Sequence, residues 1–457
     1  MNIRQRIATV LLALTAALTL VLPALADNAI VNPYTLYTYD QMVTDVNALR
    51  DAYPELITVS SIGESVAGRE LVSFTLGTGD RVILLCASMH AREYVSTNFL
   101  MNLAEGYARG WAEDAVYHGM SYRELLSQVT FYVVPMVNPD GVTLAQTGAA
   151  DAGYAESVAA MPITDAKGSG LYGWKANLNG VDLNHNFPYL WSDNPDVTVP
   201  SSANYNGTAP CSEPETRALM ELISTRQFYL LASFHTSGQC VYWIDSSNSQ
   251  ALYDKLKPVA SRIAGGIGYT LCPVEDVSKF GGYLVNYARA TYERPCFTVE
   301  LCPYYGTYPY SSYQSLKKTL EKVYPIGLLV AQEAVSMEQL PPLVKVELLG
   351  EPVAFPDQGP VIADGRTLVP LRAVAESCGL TVDWNADTCT VVVADEETTV
   401  ELTVDSPLIA VNGALSEMDC VPQIVSGRTM LPIRYVLEAF GYQVDWDGDT
   451  YTVRIEK

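Results

Sequence analysis

The chain has few basic residues and few histidines for its length. Its 457 residues include 28 lysines and arginines against 51 acidic residues, a net charge of −23 at pH 7, and only four histidines. A charge of that sign repels phosphate backbones, so we expect no nucleic-acid partner. The nine cysteines show no closely repeated CxxC spacing, which argues against a structural zinc site built from thiolates.

Long apolar runs are absent beyond the N-terminus. There, Arg4 and Arg6 precede an apolar run over Ile7–Leu22, and the small residues of Ala24-Leu25-Ala26 follow. This order is typical of a signal peptide, so we predict one over residues 1–26 and a secreted, extracellular protein. An uncleaved membrane anchor is the alternative, because the run is long for the apolar part of a signal peptide.

The length of the chain predicts two domains. A helical pattern over Ser315–Met337 ends at Glu338-Gln339-Leu340-Pro341-Pro342, where the periodicity breaks as it does in a linker. We therefore predict a first domain over residues 34–337, a linker over 338–343 and a second domain over 344–457.

In the first region, short apolar runs alternate with helical patterns. The runs are Val82–Ala87, Val129–Val137, Tyr229–Phe234 and Cys296–Leu301, and the helical patterns include Val95–Arg109 and Glu213–Arg226. This alternation predicts an α/β fold with a mostly parallel or mixed central sheet flanked by helices. Ligands of such sheets bind at the carboxyl ends of the strands. His90, Asn138–Gly141, His235 and Glu300 all lie at or just after the ends of these runs, so we expect them on one rim.

The second region contains an internal duplication. Residues 365–372 recur as residues 427–434, and Val382-Asp383-Trp384 recurs as Val444-Asp445-Trp446. Each copy predicts a turn, a short helix closed by glycine and a β-hairpin, which together make a small duplicated α+β domain. We expect the repeated tryptophans in its core rather than as carbohydrate platforms. Attachment to the cell wall and a passive spacer both remain open as its role.

His90 and Glu93, three residues apart, and the distant His235 supply the ligand types of a catalytic zinc. Such a zinc takes three protein ligands, often two histidines and one glutamate, and leaves a fourth position for water. Two residues at this spacing also occur on solvated helix turns, so the pair alone is a weak signal.

An ordered set of separated motifs makes the signal strong. Besides the three ligand positions, these are Tyr39–Leu49 with Tyr53-Pro54, Ile62-Gly63-Glu64-Ser65 with Gly68-Arg69, Asn138-Pro139-Asp140-Gly141, Gly180–Asn184, Ser212–Thr216 and Phe297–Glu300. Over most of residues 34–337 the chain resembles the zinc carboxypeptidase family typified by pancreatic carboxypeptidase A. The tail resembles a duplicated stalk module, also called the copper amine oxidase N-terminal-like domain, and that name implies no copper chemistry here.

The resemblance implies a role for each site residue. His90, Glu93 and His235 would hold one Zn²⁺, which lowers the pKa of a bound water. Glu300 would be the general base that takes the proton of the water, and Asp182 would orient His90. Lys175 would polarise the substrate carbonyl, at a position where the family has arginine.

The substrate-binding residues implied by the family are Arg92, Asn184, His185 and Tyr283. The main departure is His185, because the family has an arginine there that clamps the C-terminal carboxylate of the substrate. Histidine offers one donor face and titrates near neutrality, so recognition of that carboxylate is weakened or replaced.

We expect a secreted zinc metallocarboxypeptidase that hydrolyses peptide bonds by metal-activated water and acts on peptides or peptidoglycan peptides. One alternative is a peptidase for γ-D-glutamyl-diaminopimelate bonds of peptidoglycan, and another is a zinc amidohydrolase or esterase that requires no C-terminal carboxylate. A non-catalytic wall-binding protein is the third, and the joint presence of the ligand residues and Glu300 argues against it.

Overall fold

The computed structural model of the chain describes residues 29–117, 119–151, 153–164, 170–191, 197–276, 281–304, 313–340, 343–355, 359–363, 366–425 and 428–457. The signal peptide predicted over residues 1–26 lies outside these ranges. Within them, no helix is both long enough and apolar enough to cross a bilayer.

One eight-stranded sheet organises the first region. Its strands, in chain order, are β1 (Ile57–Glu64), β2 (Glu70–Gly77), β3 (Arg81–Ala87), β6 (Val129–Val134), β7 (Phe228–His235), β8 (Cys240–Tyr242), β9 (Thr270–Leu271) and β10 (Cys296–Glu300). Their order across the sheet is β1-β2-β6-β3-β7-β10-β8-β9. The four central strands β6, β3, β7 and β10 are parallel to each other, whereas β1, β2 and β8 pair antiparallel with neighbours. The mixed α/β sheet is therefore confirmed.

The central strands are apolar on both faces because helices cover both sides of the sheet. Ile83 and Leu85 of β3 belong to the larger hydrophobic core, and Leu84 and Cys86 belong to a second core on the other face. All eight residues of β7 are buried. Continuous apolar runs of this kind are what a doubly covered parallel sheet requires.

Helices and short strands complete the first region. The helices are α1 (Tyr39–Ala52), α2 (Val95–Ala112), α3 (Tyr122–Gln128), α4 (Pro139–Thr147), α5 (Ala155–Ala160), α6 (Pro214–Thr225), α7 (Gln250–Gly266), α8 (Leu284–Tyr292), α9 (Tyr313–Val323) and α10 (Ile326–Ser336), and the strands β4 (Val116–Tyr117) and β5 (Met120–Ser121) form a small hairpin. The single helical pattern expected over 315–337 is thus two helices. The break falls at Tyr324-Pro325, because proline cannot donate the backbone hydrogen bond that a continuous helix needs.

The second region holds the remaining elements. These are β11 (Lys345–Leu348), β12 (Glu351–Pro352), β13 (Val361–Ala363), β14 (Arg366–Pro370), α11 (Leu371–Ser377), β15 (Thr381–Asn385), β16 (Thr390–Ala394), β17 (Thr399–Thr403), β18 (Leu408–Val411), β19 (Ala414–Glu417), β20 (Gln423–Val425), β21 (Arg428–Pro432), α12 (Ile433–Ala439), β22 (Gln443–Asp447) and β23 (Thr452–Glu456).

The predicted duplication is visible in the strand pairing of this region. Strands β14 and β21 pair antiparallel about a centre where Val369 faces Leu431, its own counterpart in the other copy. Each copy continues into a helix, a glycine with positive φ and a hairpin. The glycines are Gly379 and Gly441, with φ of 79° and 80°, values that favour glycine because side chains with a Cβ rarely adopt them.

The expectation that the repeated tryptophans are core residues is wrong. Trp384 is 39% exposed and Trp446 is 40% exposed. Trp446 lies on the same strand face as the buried Val444, since the two are two positions apart in the strand. However, each tryptophan is the penultimate residue of its strand, next to the hairpin turn, where the covering of that face ends.

Candidate active site

Three neighbouring parallel strands bring the predicted residues to one rim. Strand β3 ends at Ala87, three residues before His90, and His235 and Glu300 are the last residues of β7 and β10. In the pairing of β7 with β10, Glu300 lies directly beside His235. Glu93 closes a short 3₁₀ turn that starts at Ala91 and points its carboxylate back toward the two histidines. The expected convergence of these residues is therefore observed.

Asn138, which was also expected on this rim, has a structural role. Its side-chain oxygen accepts a hydrogen bond from the Gly141 amide, which caps helix α4. Its side-chain nitrogen donates to the carbonyls of Met89 and Ala176. Asn138 thus fixes the loop that carries His90 rather than serving as a ligand.

The three predicted ligands form a compact, buried cluster. The Nδ1 atoms of His90 and His235 are 3.0 Å apart, and each lies 3.0 Å from a different carboxylate oxygen of Glu93. The ligand atoms of the three residues all lie within 4.8 Å of one another, and in the described part of the chain no other group of three or more such residues is as compact.

This arrangement fits a zinc ion. The Nε2 atom of each imidazole points away from the cluster. His90 Nε2 lies 3.2 Å from Asp182 Oδ1, and His235 Nε2 lies 3.0 Å from Ser233 Oγ. If both Nε2 atoms carry the proton, two Nδ1 lone pairs face each other and a carboxylate, an arrangement that a cation between them stabilises. Ligand atoms about 2.0–2.1 Å from a tetrahedral zinc lie roughly 3.3 Å apart, close to the separations observed.

Electrostatics keep the ligands in the forms that bind a cation. Burial alone would raise the pKa of Glu93, but His90 and His235 together hold it well below its usual value. Burial lowers the pKa of His235, and the neighbouring His90 acts in the same direction. An ionised carboxylate and a neutral imidazole are the protonation states that metal coordination requires.

Asp182 contacts the outward-facing Nε2 of His90 and forms an ion pair with Lys175. Its carboxylate is fully buried, and its Oδ2 lies 2.7 Å from Lys175 Nζ. Burial opposes ionisation, but Lys175, His185 and His90 together hold the pKa of Asp182 well below its usual range. The orienting role predicted for Asp182 matches this position. The ammonium of Lys175 is directed at Asp182, and its predicted action on a substrate carbonyl stays a prediction.

Sequence reasoning missed Ser233, whose hydroxyl lies beside the outer nitrogen of His235. The signal that could have found it is the period of a β-strand. Residues two apart share a face, so Ser233 had to lie on the same side of β7 as His235. A serine inside the otherwise apolar run of β7 is the anomaly to look for.

His185 is buried and uncharged at neutral pH. Its Nδ1 lies 3.2 Å from the carbonyl oxygen of Gly281, and its Nε2 lies 3.8 Å from Asp182 Oδ2. Burial lowers its pKa to about 4, with Lys175 and His90 acting in the same direction and Asp182 opposing them. The backbones of His185 and Gly282 approach each other closely, since a Cβ on Gly282 would lie 2.1 Å from the His185 carbonyl oxygen.

The other predicted substrate contacts lie near this position. Tyr283 packs edge-on against the His185 ring, with centroids 4.9 Å apart. Asn184 uses its side-chain oxygen to accept a hydrogen bond from the Leu284 amide at the start of α8, and Arg92 donates to the Gly173 carbonyl. The predicted roles of these residues in substrate binding, like that of Glu300 as a base, stay predictions.

The match to known proteins agrees with this geometry. Residues 42–314 match the family model described as zinc carboxypeptidase. The chain belongs to the zinc carboxypeptidase family. It is thus a zinc-dependent metallopeptidase, as predicted from its ligand pattern. Residues 347–455 match the model of the copper amine oxidase N-terminal domain, which confirms the resemblance of the tail.

Individual relatives match large parts of the chain. The γ-D-glutamyl-L-diamino acid endopeptidase 1 of Lysinibacillus sphaericus is 31% identical over 308 residues, which is 65% of this chain and 74% of that protein. Carboxypeptidase B of Astacus astacus is 28% identical over 44% of this chain and 62% of its own length.

Solved structures show the same fold at low identity. The thrombin-activatable fibrinolysis inhibitor aligns with a TM-score of 0.54 and 18% identity over 68% of this chain and 79% of its own. The carboxypeptidase A of Helicoverpa armigera aligns with a TM-score of 0.51 and 16% identity over 73% and 81%. These likenesses confirm the α/β architecture of the zinc carboxypeptidases.

Proposed function

We propose that this family member cleaves the amide bond between the γ-carboxyl group of D-glutamate and a diamino acid in cell-wall peptides. The observation that carries the proposal is the neutral, buried His185 at the position where the carboxypeptidases of the family have a carboxylate-binding arginine. The general zinc carboxypeptidase that the sequence favoured becomes the second candidate.

The chemistry of His185 argues against a C-terminal carboxylate as the main recognition element. A bidentate arginine gives two charge-assisted hydrogen bonds and a fixed positive charge. A histidine with a pKa of about 4 carries no charge at neutral pH, and its Nδ1 already faces a backbone carbonyl. Lys175 is a poor substitute for the carboxylate-binding arginine, because its ammonium neutralises the buried Asp182. Moving it to a substrate carboxylate would leave Asp182 as an unpaired buried charge.

The named relative supports the same choice. A protein called a γ-D-glutamyl-L-diamino acid endopeptidase shares 31% identity with this chain over 308 residues. An endopeptidase acts within a chain and needs no terminal carboxylate beside the bond it cuts. The substitution at His185 and the name of the relative both favour this cleavage.

The residues of the site divide the work of hydrolysis. His90, Glu93 and His235 would hold the zinc, which would lower the pKa of a water molecule and polarise the carbonyl group of the substrate. Glu300, beside His235 on the next strand, accepts the proton of the attacking water and delivers it to the leaving nitrogen. Asp182 and Ser233 keep the two imidazoles in the orientation that presents Nδ1 to the zinc.

Export and wall attachment complete the proposal. The N-terminal pattern around Ala26 is that of a signal peptide, and the acidity of the chain suits an extracellular protein. The duplicated tail would keep the enzyme close to the polymer that carries its substrate. A periplasmic or extracellular location is required, since mature cell-wall peptides occur outside the cytoplasm.

Product analysis by mass spectrometry tests the proposed bond. The substrates are two tetrapeptides that contain D-glutamate and diaminopimelate and differ only in whether glutamate is joined through its γ- or its α-carboxyl group. We expect cleavage after glutamate in the γ-linked peptide and an intact α-linked peptide. Release of the C-terminal residue from ordinary peptides, with loss of activity after C-terminal amidation, would instead establish a carboxypeptidase.

A further inference from the structure

The duplicated tail contains a groove of about 630 Å³ that the catalytic function does not use. Trp446, Tyr451, Tyr435 and Arg434 of the second copy line it, together with Arg366 of the first copy and Asp419. All of these residues belong to the region from 344 onward, so the groove is complete within the duplicated domain.

One side of the groove is aromatic and open to solvent. Trp446 is 40% exposed, which leaves much of the indole available for contact. The ring of Tyr451 lies edge-on to it, with centroids 5.5 Å apart, and helps to hold its orientation. A partly exposed, oriented indole is a surface on which the apolar face of a ligand ring can stack.

The other side of the groove carries paired polar groups. Arg366 donates to the Asp419 carboxylate, with Nε 2.9 Å from Oδ2, and the Tyr435 hydroxyl accepts a hydrogen bond from the Asp419 amide at 3.2 Å. About half of each ionic side chain remains exposed, 52% for Arg366 and 45% for Asp419. These groups are held in place and can still exchange hydrogen bonds with a ligand.

The charge of the groove selects a neutral ligand. Arg366 and Arg434 are balanced by Asp419 and Asp445, whereas the whole chain carries a charge of −23. An anionic polymer would meet general repulsion and no local excess of positive charge. A sugar ring fits better, because it has an apolar C–H face for the indole and hydroxyl or acetamido groups along its edges for the ionic pair.

The two copies of the repeat differ where they would line the groove. Counterparts lie 62 residues apart, as Val369 and Leu431 do. Trp384 corresponds to Trp446, but Ala373 stands in place of Tyr435 and Cys389 in place of Tyr451. Tyr435 and Tyr451 therefore have no tyrosine counterpart in the first copy, and they supply aromatic and hydrogen-bonding groups to the groove.

We infer that this groove binds a neutral glycan of β-linked N-acetylhexosamines. The choice of glycan rests on the proposed function, because the peptides that the catalytic region would cut are attached to strands of such sugars. Binding at Trp446 would hold the enzyme on a strand while it acts on neighbouring peptides. The groove is on the tail, so the interaction is independent of the zinc site.

Calorimetric titration of the full chain with the soluble tetramer of N-acetylglucosamine tests the inference. We expect saturable binding that Trp446→Ala weakens at least about tenfold and Trp384→Ala leaves unchanged. Trp384 is the matched control, because it occupies the same place in the other copy and is equally exposed. Tyr435→Phe, which removes only a hydroxyl, should weaken binding less than Trp446→Ala. Unaltered thermal unfolding of each variant shows that the fold is retained.

Several outcomes would overturn the inference. These are no saturable binding of the tetramer up to about 10 mM, equal losses from both tryptophan variants, or displacement of the tetramer by a stem peptide that carries no sugar. Binding is measured without hydrolysis, so it is separable from the proposed function. Glycan binding by a chain that releases C-terminal residues from ordinary peptides would reject the proposed bond and retain the groove.

Discussion

The two regions of the chain place their distinctive side chains in opposite environments. In the catalytic region, the metal ligands His90, Glu93 and His235 are at most 7% exposed. In the duplicated region, Trp384 and Trp446 are 39% and 40% exposed. Polar groups are thus buried in one region, while large aromatic groups are exposed in the other.

This contrast shows which sequence signals are tightly constrained. A buried polar group costs free energy unless it has partners, so a buried histidine and glutamate require a matched set of further polar residues around them. The pattern is consequently rich and is easily recognised in the sequence. An exposed tryptophan imposes no such requirement on its neighbours, so its pattern in the sequence equally fits a core residue or a binding residue.

The largest effect should come from Glu300→Gln in the catalytic region. Loss of the general base is expected to reduce kcat by roughly 10²- to 10⁴-fold, while the zinc content measured by plasma emission spectroscopy stays at one per chain. Glu93→Gln is the matched control, since the same chemical change at a ligand should reduce the zinc content itself. If the Glu300→Gln protein cleaves every peptide that the wild type cleaves, and at the same rate, the assignment of Glu300 as the base is rejected.

A second test uses pH and the buried His185. Its folded pKa of about 4 lies below the ordinary histidine value of 6.5, so the unfolded chain binds more protons between these values. Its contribution to stability is therefore complete above about pH 6.5 and is lost as the pH falls toward 4, by about 3 kcal/mol in total.

The measurement is urea unfolding of metal-free wild type and His185→Gln across this pH range. The stability of the wild type should fall more steeply than that of the variant, whose glutamine does not titrate. Metal removal from both proteins eliminates the separate pH dependence of zinc binding. Parallel pH profiles would show that folding does not lower the pKa of His185, and the main argument against a carboxylate clamp would be lost.

The ligand set could be predicted from sequence because of its chemistry and its place in the fold. His90, His235 and Glu300 follow apolar runs that had to be parallel strands, and the carboxyl ends of such strands meet at one edge. The contact of Asp182 with Lys175 depends on loop conformation and side-chain direction. Those depend on packing across distant segments, for which the sequence has no local signal.

The duplicated region shows a different limit of sequence reasoning. Its helices and hairpins could be predicted, because glycines and alternating residues mark them in both copies. The exposure of Trp446 could not, since the alternation that makes Val444 buried assigns Trp446 to the same face. Where the covering of a strand ends depends on the length and angle of the neighbouring helix, and residue periodicity contains neither.

A third prediction concerns the residues that orient the ligands. Asp182→Asn should weaken zinc binding by about 10- to 100-fold, measured by competition with a chelator, because the carboxylate partner of His90 is lost. Asp140→Asn is the matched control. Asp140 is also buried, but its carboxylate pairs with Arg69 at 2.6 Å and accepts a hydrogen bond from the Ala67 amide rather than contacting a ligand imidazole, so its variant should lose stability and keep its zinc affinity. Equal affinities of the two variants would contradict the orienting role of Asp182.

The smallest effect should come from the exposed tryptophans, and it would confirm the contrast between the regions. Trp384→Ala is expected to change the free energy of unfolding by about 1 kcal/mol or less, against about 3–5 kcal/mol for a tryptophan in a core. In calorimetry of the full chain, Leu431→Ala, a deletion at a fully buried position, identifies the transition of the tail by lowering its Tm. If Trp384→Ala lowers the Tm of that transition as much as Leu431→Ala does, the indole belongs to the core. Exposed aromatic groups would then no longer distinguish the tail from the catalytic region.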